Sequence, residues 1–120
     1  METTKSKDFE QCECSKFVLS VNDSLEVLNG RWKLLILITL RLGKKRFKDI
    51  SKEIAGITDK ALSKELKELE ANQLISRVVH ETFPPKVEYS ITEHGLTLDG
   101  VILSLRDWGN YHRKKIIGKQ

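Results

Sequence analysis

Lys60, Ser63, Lys64 and Lys67 recur at i, i+3, i+4 and i+7, a spacing that gathers side chains on one face of an α-helix. Three ammonium groups and a hydroxyl in one row form a bank of hydrogen-bond donors. Such a bank suits the phosphate oxygens and base edges of a DNA major groove. The plainer reading of the same residues is a solvated helix, with Glu65, Glu68 and Glu70 supplying ion pairs close by. Two further basic groups flank the segment. The run "KKRFK" offers Lys44, Lys45, Arg46 and Lys48 to a phosphate backbone. Arg77, His80 and Lys86 bracket the adjacent prolines Pro84 and Pro85, where a stiff loop tip can reach a minor groove or its phosphates. Without a partner, the first group is a basic surface loop and the second a rigid turn.

The other reactive groups are two thiols, Cys12 and Cys14. They are too close in the chain to bridge comfortably to each other and too few for a disulfide framework. A sensor thiol needs exposure and a lowered pKa. Lys16 favours that at Cys14, while Glu10 and Glu13 oppose it. Both cysteines are redox-sensing candidates, through oxidation to a cysteine of a partner subunit. A soft metal with further ligands from elsewhere, or two ordinary thiols in an arm, are the alternatives. His80, His94 and His112 are scattered without metal-ligand spacing. No nucleophile–base arrangement, phosphate-cradling glycine loop or paired carboxylates emerge. The reading is therefore no enzyme, no cofactor and no metal site.

At 120 residues with 39% hydrophobic and 32% charged residues, the chain fits one soluble domain with a proper core. The net charge of +4 permits nucleic acid as a partner without demanding it, because placement matters more than the sum. No run approaches the ~20 apolar residues of a membrane helix, and the N-terminus lacks the apolar stretch of a signal peptide. The default location is cytoplasmic.

These groups need elements to hold them. Residues 1–16 read as a flexible arm. Asn22, Asp23 or Ser24 is a cap for a short helix carrying Leu25 and Leu28, and Gly30 ends or kinks it. "RWKLLILITLRLG" is apolar nearly all round and reads as a central buried helix with Gly43 at its C′ position. Phe47, Ile50 and Ile54 mark a third helix. Thr58 is the N-cap of a fourth, with Ile57 stapled to Leu62 and a buried stripe of Leu62, Leu66 and Leu69. Strands follow at "LISRVVH" and "KVEYSIT", with Val87, Tyr89 and Ile91 on one face. Thr92 then caps one long helix whose stripe is Leu98, Val101, Ile102, Leu105 and Trp108. Two short helices joined by "AGIT" make a helix-turn-helix candidate, and the hairpin behind them is a wing.

"LNGRWKLLILITL", "RFKDISKEIAGITDKALSKELKELEANQLISR" and "PPKVEYSITEHG", in this order, resemble the HxlR-type family of winged helix-turn-helix transcriptional regulators over about residues 24–110. The resemblance implies an α+β, mostly α fold, with N- and C-terminal helices that make a homodimer. It implies double-stranded DNA as the partner, a recognition helix over residues 58–67 and a wing tip over 81–86. Domain boundaries then fall as an arm (1–16), a DNA-binding and dimerisation domain (17–112) and a basic tail (113–120). Some relatives sense oxidants or electrophiles through an N-terminal cysteine. Gln73 stands where the family commonly has glycine, and this chain carries two cysteines without the usual proline. Thr58, Lys60, Ser63, Lys64, Lys67, Lys45, Arg46, Lys48, Arg77 and Lys86 are the candidate DNA contacts. The competing functions are a winged-helix protein–protein adaptor and a metal- or ligand-responsive regulator.

Overall fold

The computed structural model describes residues 14–118, so Cys12 lies outside the described residues. The chain divides into two units, residues 1–30 and 31–120. In the first unit, helix α1 (Cys14–Val27) begins inside the stretch expected as an arm. Asn22, Asp23 and Ser24 lie within it rather than capping it. Ser24 explains part of this: its hydroxyl donates to the Ser20 carbonyl at 3.2 Å, one turn back, and so does not compete for a terminus.

The second unit runs α2 (Trp32–Arg41), α3 (Phe47–Glu53), α4 (Asp59–Ala71), β1 (Ile75–His80), β2 (Lys86–Ile91), α5 (Glu93–Leu96) and α6 (Asp99–Ile117). Ile36, Leu37 and Leu40 of α2, Ile50 of α3, Leu62, Leu66 and Leu69 of α4, and Ile75 of β1 fill the core, each nearly fully buried. Each such side chain contributes roughly 1.5–3 kcal/mol over its exposed state. Ile54 and Ile57, in the turn between α3 and α4, are buried with them. Gly56 makes that turn at φ +88°, a left-handed value that a Cβ would strain. Thr58 then caps α4, its hydroxyl accepting from Ala61 N–H at 3.0 Å.

Helix α4 ends where the family-like pattern departs. Gln73 sits at φ +63°, while Asn72 keeps φ −90°. Leu74 N–H donates to the Leu69 carbonyl at 3.0 Å and Gln73 N–H to that of Glu70 at 2.9 Å. This is the paired cap of a Schellman turn, with buried Leu69 and Leu74 as its apolar contact. The geometry is therefore kept without glycine.

β1 and β2 pair antiparallel, from Ile75 opposite Ile91 to His80 opposite Lys86. The expected alternation along β2 gives no contrast in burial, because every residue from Val87 to Ile91 is half-buried. The polar ones are covered by partners: Ser90 meets Ser76 at 3.0 Å and Glu88 meets His80 at 2.8 Å. Sequence patterning missed a third contributor to the sheet. Lys45 exchanges both backbone hydrogen bonds with Tyr89, at 2.9 and 2.8 Å.

The single long helix expected after Thr92 is two helices. Thr92 does cap, accepting from Gly95 N–H at 2.9 Å, but its helix ends at Leu96. Leu98 starts α6 afresh, and Asp99 in the first turn of α6 takes a two-point ion pair from Arg41, at 2.6 and 3.0 Å. The expected apolar stripe is only partly covered: Leu98 and Ile102 are half-buried, while Val101, Leu105 and Trp108 are exposed. Gly95 fixes the joint. A Cβ there would land on the Leu74 carbonyl oxygen and 2.6 Å from Ile91 Cγ1.

Two stability outcomes follow from this joint region. Gln73→Gly removes a left-handed side chain and raises stability by about 0.5–1 kcal/mol after the entropy cost of glycine, measured as a higher denaturant midpoint at unchanged slope. Gly95→Ala drives α5 off the sheet and lowers stability by about 1–3 kcal/mol; a thermal melt within a degree of wild type would contradict the packing described.

Candidate nucleic-acid interface

Helix α4 presents two chemistries on opposite sides. Leu62, Leu66 and Leu69 are sealed in the core. Lys60, Lys64 and Lys67 are exposed, and with half-buried Ser63 they line one open groove of about 450 Å³. The structure thus brings together the row expected from the spacing. Glu68 lines the same groove.

Of the acids among these lysines, Glu70 is exposed and Glu68 keeps an i,i+4 pair with Lys64, but Glu65 leaves the surface. Glu65 turns inward to Lys33 of α2, which is only 1% exposed, at 2.5 Å. Glu68 reaches the same ammonium at 2.6 Å with one oxygen and lies 3.6 Å from Lys64 Nζ with the other. Burial acts to lower the pKa of Lys33, but hydrogen bonds and charge attraction from Glu65 and Glu68 outweigh it. The ammonium is held above the ordinary lysine value. The hydrogen bond from Lys33, then its charge, holds the Glu68 carboxyl below the usual carboxylate range. A lysine inside an apolar-looking helix gave no signal in sequence. Its partners lie 32 and 35 residues away.

A second opening, about 500 Å³, joins the N-terminal turns of α3 and α4 to the wing. Arg46, Lys48, Asp59 and the wing residues Pro85 and Val87 line it. Asp59 accepts from Ser51 Oγ at 3.3 Å, which ties the two helices of the pair. Arg46 and Lys48 are exposed there, and Lys44 is exposed nearby in the chain. Lys45 is different: its Nζ pairs with Glu53 at 3.2 Å and its side chain is 18% exposed. Its backbone serves the sheet and its amine already holds a carboxylate, so it is less available to a phosphate than exposed Arg46 and Lys48.

On the wing, Arg77 and Lys86 are exposed, opposite Tyr89 and His80 respectively. His80 is engaged with Glu88, and its hydrogen bond pulls the Glu88 carboxyl below its ordinary value. At the tip, Thr82 Oγ1 donates to the Pro84 carbonyl at 2.8 Å. Sequence reasoning passed over Phe83, which stands 100% exposed between Thr82 and the prolines. A bulky apolar residue with nowhere to pack, next to a proline pair, was the available signal.

Cys14 is an exposed free thiol at the first position of α1. Trp108 is exposed in the single chain and stacks on His112 at 4.9 Å between ring centres. No cluster of His, Cys, Asp or Glu among the described residues could hold a metal ion. No helix among them is long and apolar enough to cross a membrane.

Known proteins agree with this geometry. Residues 27–116 match the model of the HxlR-like helix-turn-helix family. The HTH-type transcriptional regulator YtcD of Bacillus subtilis (strain 168) is 42% identical over 88% of this chain and 84% of its own length. YdeP of the same organism is 42% identical over 92% of this chain and 81% of its own. Among solved structures, YtcD superposes with a TM-score of 0.76 at 42% identity, covering 78% of this chain and 96% of that one. The redox regulator HypR in its reduced form gives a TM-score of 0.77 at 37% identity, covering 82% and 98%. The reduced form of the transcriptional regulator YodB from B. subtilis gives 0.70 at 37% identity, covering 76% and 89%. A basic face on the second helix of a helix-turn-helix, a wing beside it and these relatives converge: the chain belongs to the HxlR-like helix-turn-helix family and is a winged helix-turn-helix transcriptional regulator, not an enzyme.

Proposed function

We propose that the protein binds a pseudo-palindromic operator as a homodimer in the cytoplasm. The observation that carries this is the groove face of α4, where Lys60, Ser63, Lys64 and Lys67 stand together while the opposite leucines are buried. Base reading falls to Ser63, Lys64 and Lys67 first, then Lys60, with Thr58 fixing the helix start. Arg46, Lys48, Arg77 and Lys86 meet flanking phosphates. In a dimer the two α4 helices enter successive major grooves roughly 34–36 Å apart. The dimer reading is supported by α6, whose apolar Val101, Leu105 and Trp108 are uncovered in one chain, and separately by exposed Phe17, Val18 and Val21 on α1.

A response to oxidants or electrophiles is the finer part of the proposal. HypR and YodB are similar chains, and HypR is a redox regulator with reduced and oxidised structures. Cys14 offers an exposed thiol here. Two thiols, one from each subunit, lose two electrons and two protons to an added oxidant such as diamide and join as a disulfide. That bond couples to operator affinity through the dimer.

Replacing Lys64 and Lys67 together with Ala abolishes operator binding in a gel-shift titration while sedimentation still reports a folded dimer. Unchanged affinity removes α4 from the reading role, and an absence of salt-dependent DNA binding by the wild type favours an adaptor. Diamide changes operator affinity of the wild type, and Cys14→Ser or Cys12→Ser abolishes the change. Equal affinities before and after oxidation in all three forms dismiss the redox response.

A further inference from the structure

We infer that Glu68 is a specificity-determining residue: an anchored carboxylate on the DNA-reading face that opposes phosphate contact by Lys64 except where a base donor takes its place. The inference rests on the operator-binding proposal above and adds a residue to it. Glu68 lines the groove with Lys60, Ser63, Lys64 and Lys67. An exposed i,i+4 glutamate ordinarily swings away when a phosphate approaches its lysine, which is why such pairs matter little. Glu68 is not free to do so. Its Oε1 is held 2.6 Å from Lys33 Nζ, an ammonium that is 1% exposed and also bound to Glu65 at 2.5 Å. Its Oε2 remains 3.6 Å from Lys64 Nζ, with the Glu68 side chain 41% and that of Lys64 68% exposed. The negative charge is therefore pinned from behind by the core and displayed in front.

A pinned carboxylate acts unequally on two kinds of DNA. Against the backbone of an arbitrary duplex it repels phosphate and keeps Lys64 partly neutralised, so fewer counterions are released on binding. Against a base edge that offers an amino group, cytosine N4 being the standard partner of a glutamate, it accepts a hydrogen bond and frees Lys64 for its own contact. The same group thus weakens wrong complexes and supports the right one.

The test is Glu68→Gln, which keeps one acceptor oxygen for Lys33, removes the charge and turns the oxygen facing Lys64 into an amide donor. Binding to a duplex selected from a random-sequence library and to an arbitrary duplex of equal length is titrated across a salt series. On the arbitrary duplex the variant binds about two- to five-fold tighter, and the salt slope steepens by about one. On the selected duplex the gain is smaller or reversed, so the specificity ratio falls. In a Lys64→Ala background the substitution steepens the arbitrary-duplex slope less than it does in the wild type, because the part of the effect that runs through Lys64 is gone. Equal changes on both duplexes, or none, overturn the inference and leave the operator-binding reading standing. No salt-dependent binding by the wild type overturns both. If circular dichroism shows Glu68→Gln unfolded, Glu68→Asp replaces it. That variant keeps the charge on Lys33 but retracts it from Lys64; it lowers the ratio in the same direction, and an unchanged ratio counts against the inference equally.

Discussion

The ammonium of Lys33, buried in the first turn of α2, is the constraint around which the reading head is built. Taking such a charge out of water costs several kcal/mol, recovered only when opposite charges and hydrogen bonds meet it closely. Both carboxylates come from α4, so the position of that helix on α2 is specified by charge as well as by leucines. A greasy stripe alone tolerates sliding and small rotations. Two carboxylates on one ammonium do not, because moving either leaves a buried charge short of a partner. The direction of the pKa displacements fits a clamp rather than a switch. Glu68 is depressed, so its contribution is present above the ordinary carboxylate range and is lost as pH falls through its folded value. Lys33 is raised, so its contribution is present below the ordinary lysine range and is lost as pH rises through its folded value. Across neutral pH both charges stand.

With α4 fixed, its ends determine the rest. The Thr58 cap and the Ser51–Asp59 contact hold the short helix α3 against its start. The Schellman turn at Gln73 delivers the chain into β1. Thr92 closes the circuit, its hydroxyl 2.7 Å from the Gln73 carbonyl and 3.0 Å from that of Leu74 while it accepts from Gly95. One threonine thus joins the helix terminus, the return strand and α5. The wing is anchored at its base by this joint and along β2 by the Lys45 bridge. Both major candidate contact surfaces, the α4 face and the wing, are positioned by residues that point elsewhere.

How much of this was legible in the sequence depends on the range over which each signal acts. Thr58, the leucine stripe, Gly43 and Gly56 act within one turn, and spacing alone locates them. The left-handed position falls where the chain departs from the family-like pattern, and the hydrogen bonds to Leu69 and Glu70 place it at Gln73 rather than Asn72. The signals that failed are those whose meaning needs a distant partner. Glu65 read as a surface acid because its lysine is 32 residues away. The pairing of Lys45 went unseen because neither Tyr89 nor Glu53 advertises it. The break between α5 and α6 was hidden by an apolar pattern that continues across it. It is Gly95, seated against Leu74 and Ile91, that holds the first piece to the sheet while Arg41 draws on Asp99 at the head of the second.

The proline pair shows how a local rule and a distant one combine. Pro84 and Pro85 offer no ladder donors and hold φ near −65°, which suits the five-residue link between β1 and β2 and would break either strand. That rule explains the turn. It does not explain why Phe83 is left wholly in solvent beside them, or why Lys86 begins the return strand opposite His80. Restricting the tip lowers the ordering cost of any contact it makes, and the residues so restricted are one aromatic ring and one ammonium. His80 is occupied by Glu88 and Lys45 by Glu53. Of the basic groups near the wing these two already hold a carboxylate, while Lys86 and Arg77 are exposed on the strands.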